Sequence, residues 1–274
     1  MKKYFWTILS VILIGIMAVG IAGFTNQKHL KAEQSPLGQR LTKKQFQKYP
    51  AYQVGQKFKF INLSVDQADI TVQTGDKYQV QVQNNASKPI VVKKYQQNLV
   101  IRQWTQHHAH SIPAHSARIV ITVPNKAALK AVKLTLDSGN LVFKNLQLTQ
   151  SSYAATDSGH IAMQNCDLQK IRLAFDTGKV TLDKCKLRHL TMACDEGDVK
   201  IKQSQLLGKS RIVSDDLQLS LQDVNKDLSY HFIGSDISGS YYGKDIDGDK
   251  HFSHYKNSKN SLHIVGDDLH LTVK

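Results

Sequence analysis

The chain has 274 residues, with Lys+Arg 36 against Asp+Glu 22 and a formal net charge of +14. Its lysines are spread along strand-like tracts and tails with no aromatic platform or recognition helix, which sets it apart from nucleic-acid-binding modules. Three cysteines are too few for a disulfide scaffold, and the basic balance points to an anionic neighbour such as wall polymer or lipid headgroup, or to a simply solvated surface.

Lys2 and Lys3 precede Tyr4 to Phe24, a run without charge. As a helix at about 1.5 Å per residue it is long enough to cross a bilayer. A cleavable signal peptide is the rival, with small residues at Gly20-Ile21-Ala22. The apolar run exceeds the usual signal-peptide length, so residues 1–24 are read as an uncleaved anchor with the body of the chain outside the cell. Residues 25–56 are polar, rich in Lys and Gln, with Pro36 and Pro50. They read as a stalk, with a helical turn expected near Leu41–Lys48.

Residues 57–274 carry the strand signal and are long enough for one domain with a continuous core. Strands are predicted at Phe58–Val65, Ile70–Val72, Tyr78–Val82, Ile90–Val92, Leu99–Ile101, Arg118–Val123 and Val132–Leu136, with turn residues such as Thr74-Gly75-Asp76 between them. From 137 to 213 the chain repeats. Asp137-Ser138-Gly139, Asp157-Ser158-Gly159, Asp176-Thr177-Gly178 and Asp195-Glu196-Gly197 follow one another at spacings of 20, 19 and 19 residues. Matched columns accompany them: Leu141, Ile161, Val180, Val199; Phe143, Met163, Leu182, Ile201; and Leu148, Leu168, Leu187, Leu206. A period near twenty residues is the mark of a solenoid, and the apolar alternation predicts two short strands per coil. Asp-x-Gly is first of all turn chemistry, with Gly expected to supply positive φ. Cys166 and Cys185 share one column and are expected to stack as a buried thiol ladder, whereas Cys194 reads as a small core residue beside Phe175.

After Asp195 the pattern weakens, because Lys209 and Arg211 fall where apolar residues are expected. It returns one residue early at Asp215-Asp216-Leu217 and again at Asp267-Asp268-Leu269. Residues 214–274 are therefore read as a cap, with a hairpin within Tyr230–Asn260 and a final strand that covers an open edge.

With anchor, alternating strands, the Ile119–Pro124 segment and the Asp-Ser-Gly repeats set out, the chain resembles the bacterial putative-adhesin domain family of unknown function, the LiaG-like or toast-rack β-strand repeat proteins, over about Phe58 to Lys274. The resemblance implies an all-β, membrane-anchored, extracytoplasmic β-solenoid associated with envelope stress systems. It brings no catalytic residues, and no catalytic, cofactor-binding or metal-binding residue is assigned.

Three constellations invite chemistry. Asp157-Ser158-Gly159 and Asp176-Thr177-Gly178 match the aspartic-protease tripeptide, but they belong to a ladder with Asp137 and Asp195, which turn chemistry explains; a calcium site along that ladder would need converging oxygens. His107, His108, His110 and His115 cluster in one long segment and could bind zinc or copper, with a polar loop as the plain alternative. Asp245, Asp247 and Asp249 have calcium-loop spacing, yet Lys250 and Lys256 occupy two decisive positions, and a solvated turn is expected.

The reading is a non-enzymatic envelope protein that contacts anionic polymer, membrane or a partner protein. A carbohydrate-active β-helix enzyme would need paired acids on one face, and Asp183 and Asp198 make no evident pair. A regulatory subunit of a membrane signalling complex is the third option. Each of the twelve His would add positive charge in acid surroundings and strengthen attraction to polyanions.

Overall fold

The computed structural model describes residue 47 and residues 49–83, 89–103 and 117–274. The expected anchor and the His107–His115 segment lie outside these residues, as does most of the expected stalk. Among the described residues no helix is long and apolar enough to cross a membrane.

The named elements are strands: β1 (Phe60–Thr74), β2 (Gln79–Gln83), β3 (Ile90–Tyr95), β4 (Asn98–Gln103), β5 (Ala117–Val123), β6 (Ala131–Lys144), β7 (Gln147–Leu148), β8 (Ser152–Gln164), β9 (Asp167–Gln169), β10 (Ile171–Asp183), β11 (Lys186–Arg188), β12 (Thr191–Lys202), β13 (Gln205–Leu207), β14 (Lys209–Gln222), β15 (Ser229–Tyr241), β16 (Lys244–Asp245), β17 (Asp249–His254) and β18 (Ser261–Val273). The long strands stack in the order β15-β18-β14-β12-β10-β8-β6-β1 within one large sheet, and β13-β11-β9-β7 form a second. Leu187 pairs with Leu168, as coil-on-coil stacking requires.

Each long strand is bent. Phe175 pairs with Cys194 and Thr177 with Glu196, while Asp176 and Asp195 between them are unpaired. The inward residues change parity across the bend, from Leu173 and Phe175 to Val180 and Leu182, all of them buried. A coil thus has three sides, not the two short strands read from the sequence: a limb before the Asp, a limb after it, and the short strand of the second sheet. The third side was hidden because β9, β11 and β13 are only three residues long. Leu148, Leu168, Leu187 and Leu206 are their inward residues, each nearly inaccessible, and burying one such side chain contributes roughly 2 kcal/mol.

Gly139 and Gly159 do have positive φ, 125° and 136°. Gly178 and Gly197 are absent from the positive-φ set, so the expected torsional reason fails for half the ladder. Close approach replaces it: a Cβ on Gly159 would lie 2.0 Å from the Gly139 carbonyl oxygen, and one on Gly178 2.3 Å from that of Gly159. The positive-φ turn after the second limb is made by Asn145, Asn165, Lys184, Gln203 and Asp223 instead; Asn and Asp favour that conformation, whereas Lys184 and Gln203 do not announce it.

Beyond Asp195 the stack does not weaken. Gly208 adds one residue, Arg211 pairs with Thr191 and Ile212 with Met192, so Lys209 and Arg211 lie on the outer side while Ser210 and Ile212 point in. Leu219 and Leu221 align with Val199 and Ile201; the early residue, Leu217, occupies the glycine column. A volume exchange permits this. Where the residue before the Asp is Phe175 or Cys194, the glycine column holds Gly178 or Gly197; where it is the smaller Ser214 or Gly266, that column holds buried Leu217 or Leu269.

The final strand does not cover an open edge. β18 runs parallel between β14 and β15, and β15 carries β17 and β16 as antiparallel partners. At the other end β4 and β5 flank the two limbs of β1 and pair antiparallel with β3 and β2. The described end of the expected stalk packs here: Ala51 bridges Lys93, and Tyr49 stacks on Tyr95 with ring centroids 4.4 Å apart.

Candidate functional site

The corner between the second and third sides is lined along the stack by a groove of about 480 Å³. Its floor is Leu146, Cys166 and Cys185, all buried. One wall is the turn file Asn165, Lys184 and Gln203. The other is the outward file of the short strands, Gln147, Asp167, Lys186 and Gln205, which pair in that order, continued by Lys126, whose carbonyl accepts from Gln147 N. Five rungs about 4.8 Å apart make it about 19 Å long.

Its chemistry is cationic and amide-rich. Lys126, Lys184 and Lys186 face one carboxylate, Asp167, which Arg188 already pairs. The amides of Gln147 and Gln205 on one wall and of Asn165 and Gln203 on the other are interspersed with these charged side chains and add donors and acceptors beside the lysines. The thiols below are occupied: Cys166 Sγ donates to the Gln164 carbonyl at 3.3 Å and Cys185 Sγ to that of Asp183 at 3.3 Å. The hydrogen bond with Cys166 and burial push the Cys185 thiol up. All three cysteines are free and buried, with Cys166 and Cys185 on adjacent coils as read from the sequence. Burial raises Cys194 to about 11.

The Asp-x-Gly ladder lies at a different corner. Asp137, Asp157, Asp176 and Asp195 form an exposed outward file, extended by Asp215 and Asp267. Burial, then neighbouring aspartates, raise the carboxyl pKa of Asp137 and Asp215. Asp157 and Asp176 are successive members of this file on one corner. Among the described residues no group of three or more His, Cys, Asp or Glu is arranged to hold a metal ion. Asp245 and Asp247 shape their own turn: Asp247 Oδ1 accepts from Gly239 N at 2.6 Å and Asp245 Oδ1 from Asp247 N at 2.9 Å. Asp198 holds Lys179 at 3.1 Å and Lys200 at 3.4 Å.

A histidine cluster that the sequence reading missed forms where β15, β17 and β18 meet. The His231 ring centroid lies 4.7 Å from that of His251 and 4.5 Å from that of His263, and Ser253 Oγ is 2.7 Å from His231 Nδ1. Only strand pairing brings residues 231, 251 and 263 together, so no local motif could reveal them. Burial first, then like-charge neighbours, lower the pKa of His231 and His263, with Arg211 among the charges acting on His263. A depressed folded-state value favours the neutral ring, so this contribution is complete above the ordinary value near 6.5 and is lost as pH falls from there through the folded value. Melting temperature is therefore expected to drop below about pH 6.5, and His263→Gln to flatten the drop; an unchanged profile in that variant would contradict the assignment.

The Toastrack DUF4097 family profile matches residues 58–241. Two solved structures are similar in part. One is a "putative cell adhesion protein" from Clostridium sporogenes, at 14% identity and TM-score 0.30, covering 79% of this chain and 92% of that one. The other is a "putative adhesin" from Bacteroides fragilis, at 11% identity and TM-score 0.31, covering 79% and 91%. No curated protein matches the chain. With two thirds of its length under the family profile, all of it in the strand-rich domain, the chain belongs to the Toastrack DUF4097 family, whose function is unknown.

Proposed function

We propose that this domain is a binding module that holds an extended polyanion, such as the phosphate-bearing polymer of a cell wall, along the corner groove. The carrying observation is the lining of the two walls: Lys184 on one and Lys126 and Lys186 on the other, with Gln and Asn side chains among them and Asp167 already paired to Arg188. Ammonium groups supply charge attraction to phosphate, and the interspersed amides supply hydrogen bonds to its hydroxyls. In this proposal the domain stands outside the cell on its N-terminal anchor and performs no catalysis.

Titration of the full chain with lipoteichoic acid tests it. Lys126→Glu/Lys184→Glu/Lys186→Glu is expected to weaken binding by at least roughly tenfold, and added salt to weaken the wild type. Equal binding by the triple variant would sink the proposal.

A further inference from the structure

The face formed by the limbs before the bend is patterned in three files along the stack. Its margin at the bend is acidic: Asp137, Asp157, Asp176, Asp195, Asp215 and Asp267 succeed one another at one-rung spacing. Down its middle, two residues before each Asp, run Thr135, Ala155, Ala174, Ala193, Val213 and Val265. The far margin carries the cations: exposed Arg172 and partly exposed Arg211 in one column, where Tyr153 and Thr191 occupy the neighbouring rungs, and exposed Lys209 two residues further out. The ion pairs Lys179–Asp198, Arg188–Asp167 and Lys200–Asp198 lie elsewhere and use none of the residues just named.

Like charges at rung spacing repel, and a row of them on a flat face costs stability that a complementary surface offsets. We infer that this face binds a second copy of the same chain, side by side and parallel. A two-fold axis along the stack lays each acidic margin against the other copy's cationic margin and the middle file against itself. An axis across the stack would set like charges together, so the pattern selects the parallel pair. Both chains then enter at the same end, and both corner grooves, opposite this face, stay open. Four residue steps across and five rung intervals along, with side-chain margins, make roughly 550 Å² per copy, or about 1,100 Å² in total, which clears the threshold of about 1,000 Å² for a specific interface.

Charge reversal tests this in the full chain. One variant, Arg172→Asp/Lys209→Asp, makes both margins acidic; a second, Asp176→Lys/Asp215→Lys, adds cations to the acidic one on the same two rungs. In sedimentation at low ionic strength the wild type is expected to dimerise, and each variant alone to do so at least roughly tenfold more weakly. An equimolar mixture is expected to recover dimers holding one copy of each, which also shows that both variants are folded. A monomeric wild type, undiminished self-association of either variant, or failure of two folded variants to pair would each overturn the inference.

Discussion

Gly159→Ala is expected to cost the domain roughly 3–5 kcal/mol, as the sum of a left-handed backbone penalty and a steric overlap that only backbone movement relieves. The position has φ 136°, and the added methyl would lie 2.0 Å from the Gly139 oxygen and 2.9 Å from its carbonyl carbon. Those atoms belong to the neighbouring rung, so relief means separating two coils at the bend. For a domain of this size the melting temperature should fall by about 10 °C. Gly243→Ala is the control: φ is 78° and nothing lies within 4 Å of its Cβ, so only the torsional cost of about 1–2 kcal/mol applies. Equal losses at the two positions in thermal unfolding would refute close stacking as the reason for the ladder.

The second large effect comes from the exchange of volume across the bend. Gly197→Leu alone is expected to cost at least about 3 kcal/mol, because its Cβ would meet Cys194 Sγ at 2.9 Å and the Phe175 ring at 3.3 Å. Combined with Cys194→Ser it reproduces the Ser214 and Leu217 pair of the next rung. The double variant should regain about 1–2 kcal/mol relative to the sum of the single changes. A double-mutant cycle in denaturant measures this coupling. Strict additivity would show that the two columns do not compete for one space.

What could be read in the sequence was whatever repeats in residue type. The Leu148, Leu168, Leu187 and Leu206 column keeps its chemistry because it always points into the same dry interior, and it predicted stacking correctly. The bend was located by its Asp-x-Gly but misread as a tight turn, since close approach and positive φ both select glycine and the sequence does not separate them. The second corner was not legible. Asn145, Asn165 and Asp223 are types that favour a left-handed backbone, but Lys184 and Gln203 break the column, and the groove wall of Asn165, Lys184 and Gln203 stayed hidden. The hairpin expected within Tyr230–Asn260 is present as β15 with β16 and β17, but the final strand was misplaced for a topological reason: β18 enters between β14 and β15, and the near-identity of Asp215-Asp216-Leu217 with Asp267-Asp268-Leu269 records adjacency in the stack, not closure of an edge.

The most direct test of polymer binding along the groove is calorimetric titration of the full chain with glycerol-phosphate oligomers of increasing length. Affinity should rise with each added unit until the oligomer spans the groove, about 19 Å, then level off, and the lysine-reversed triple variant should show no such rise. Affinity independent of length, or an identical rise in the triple variant, would contradict the account.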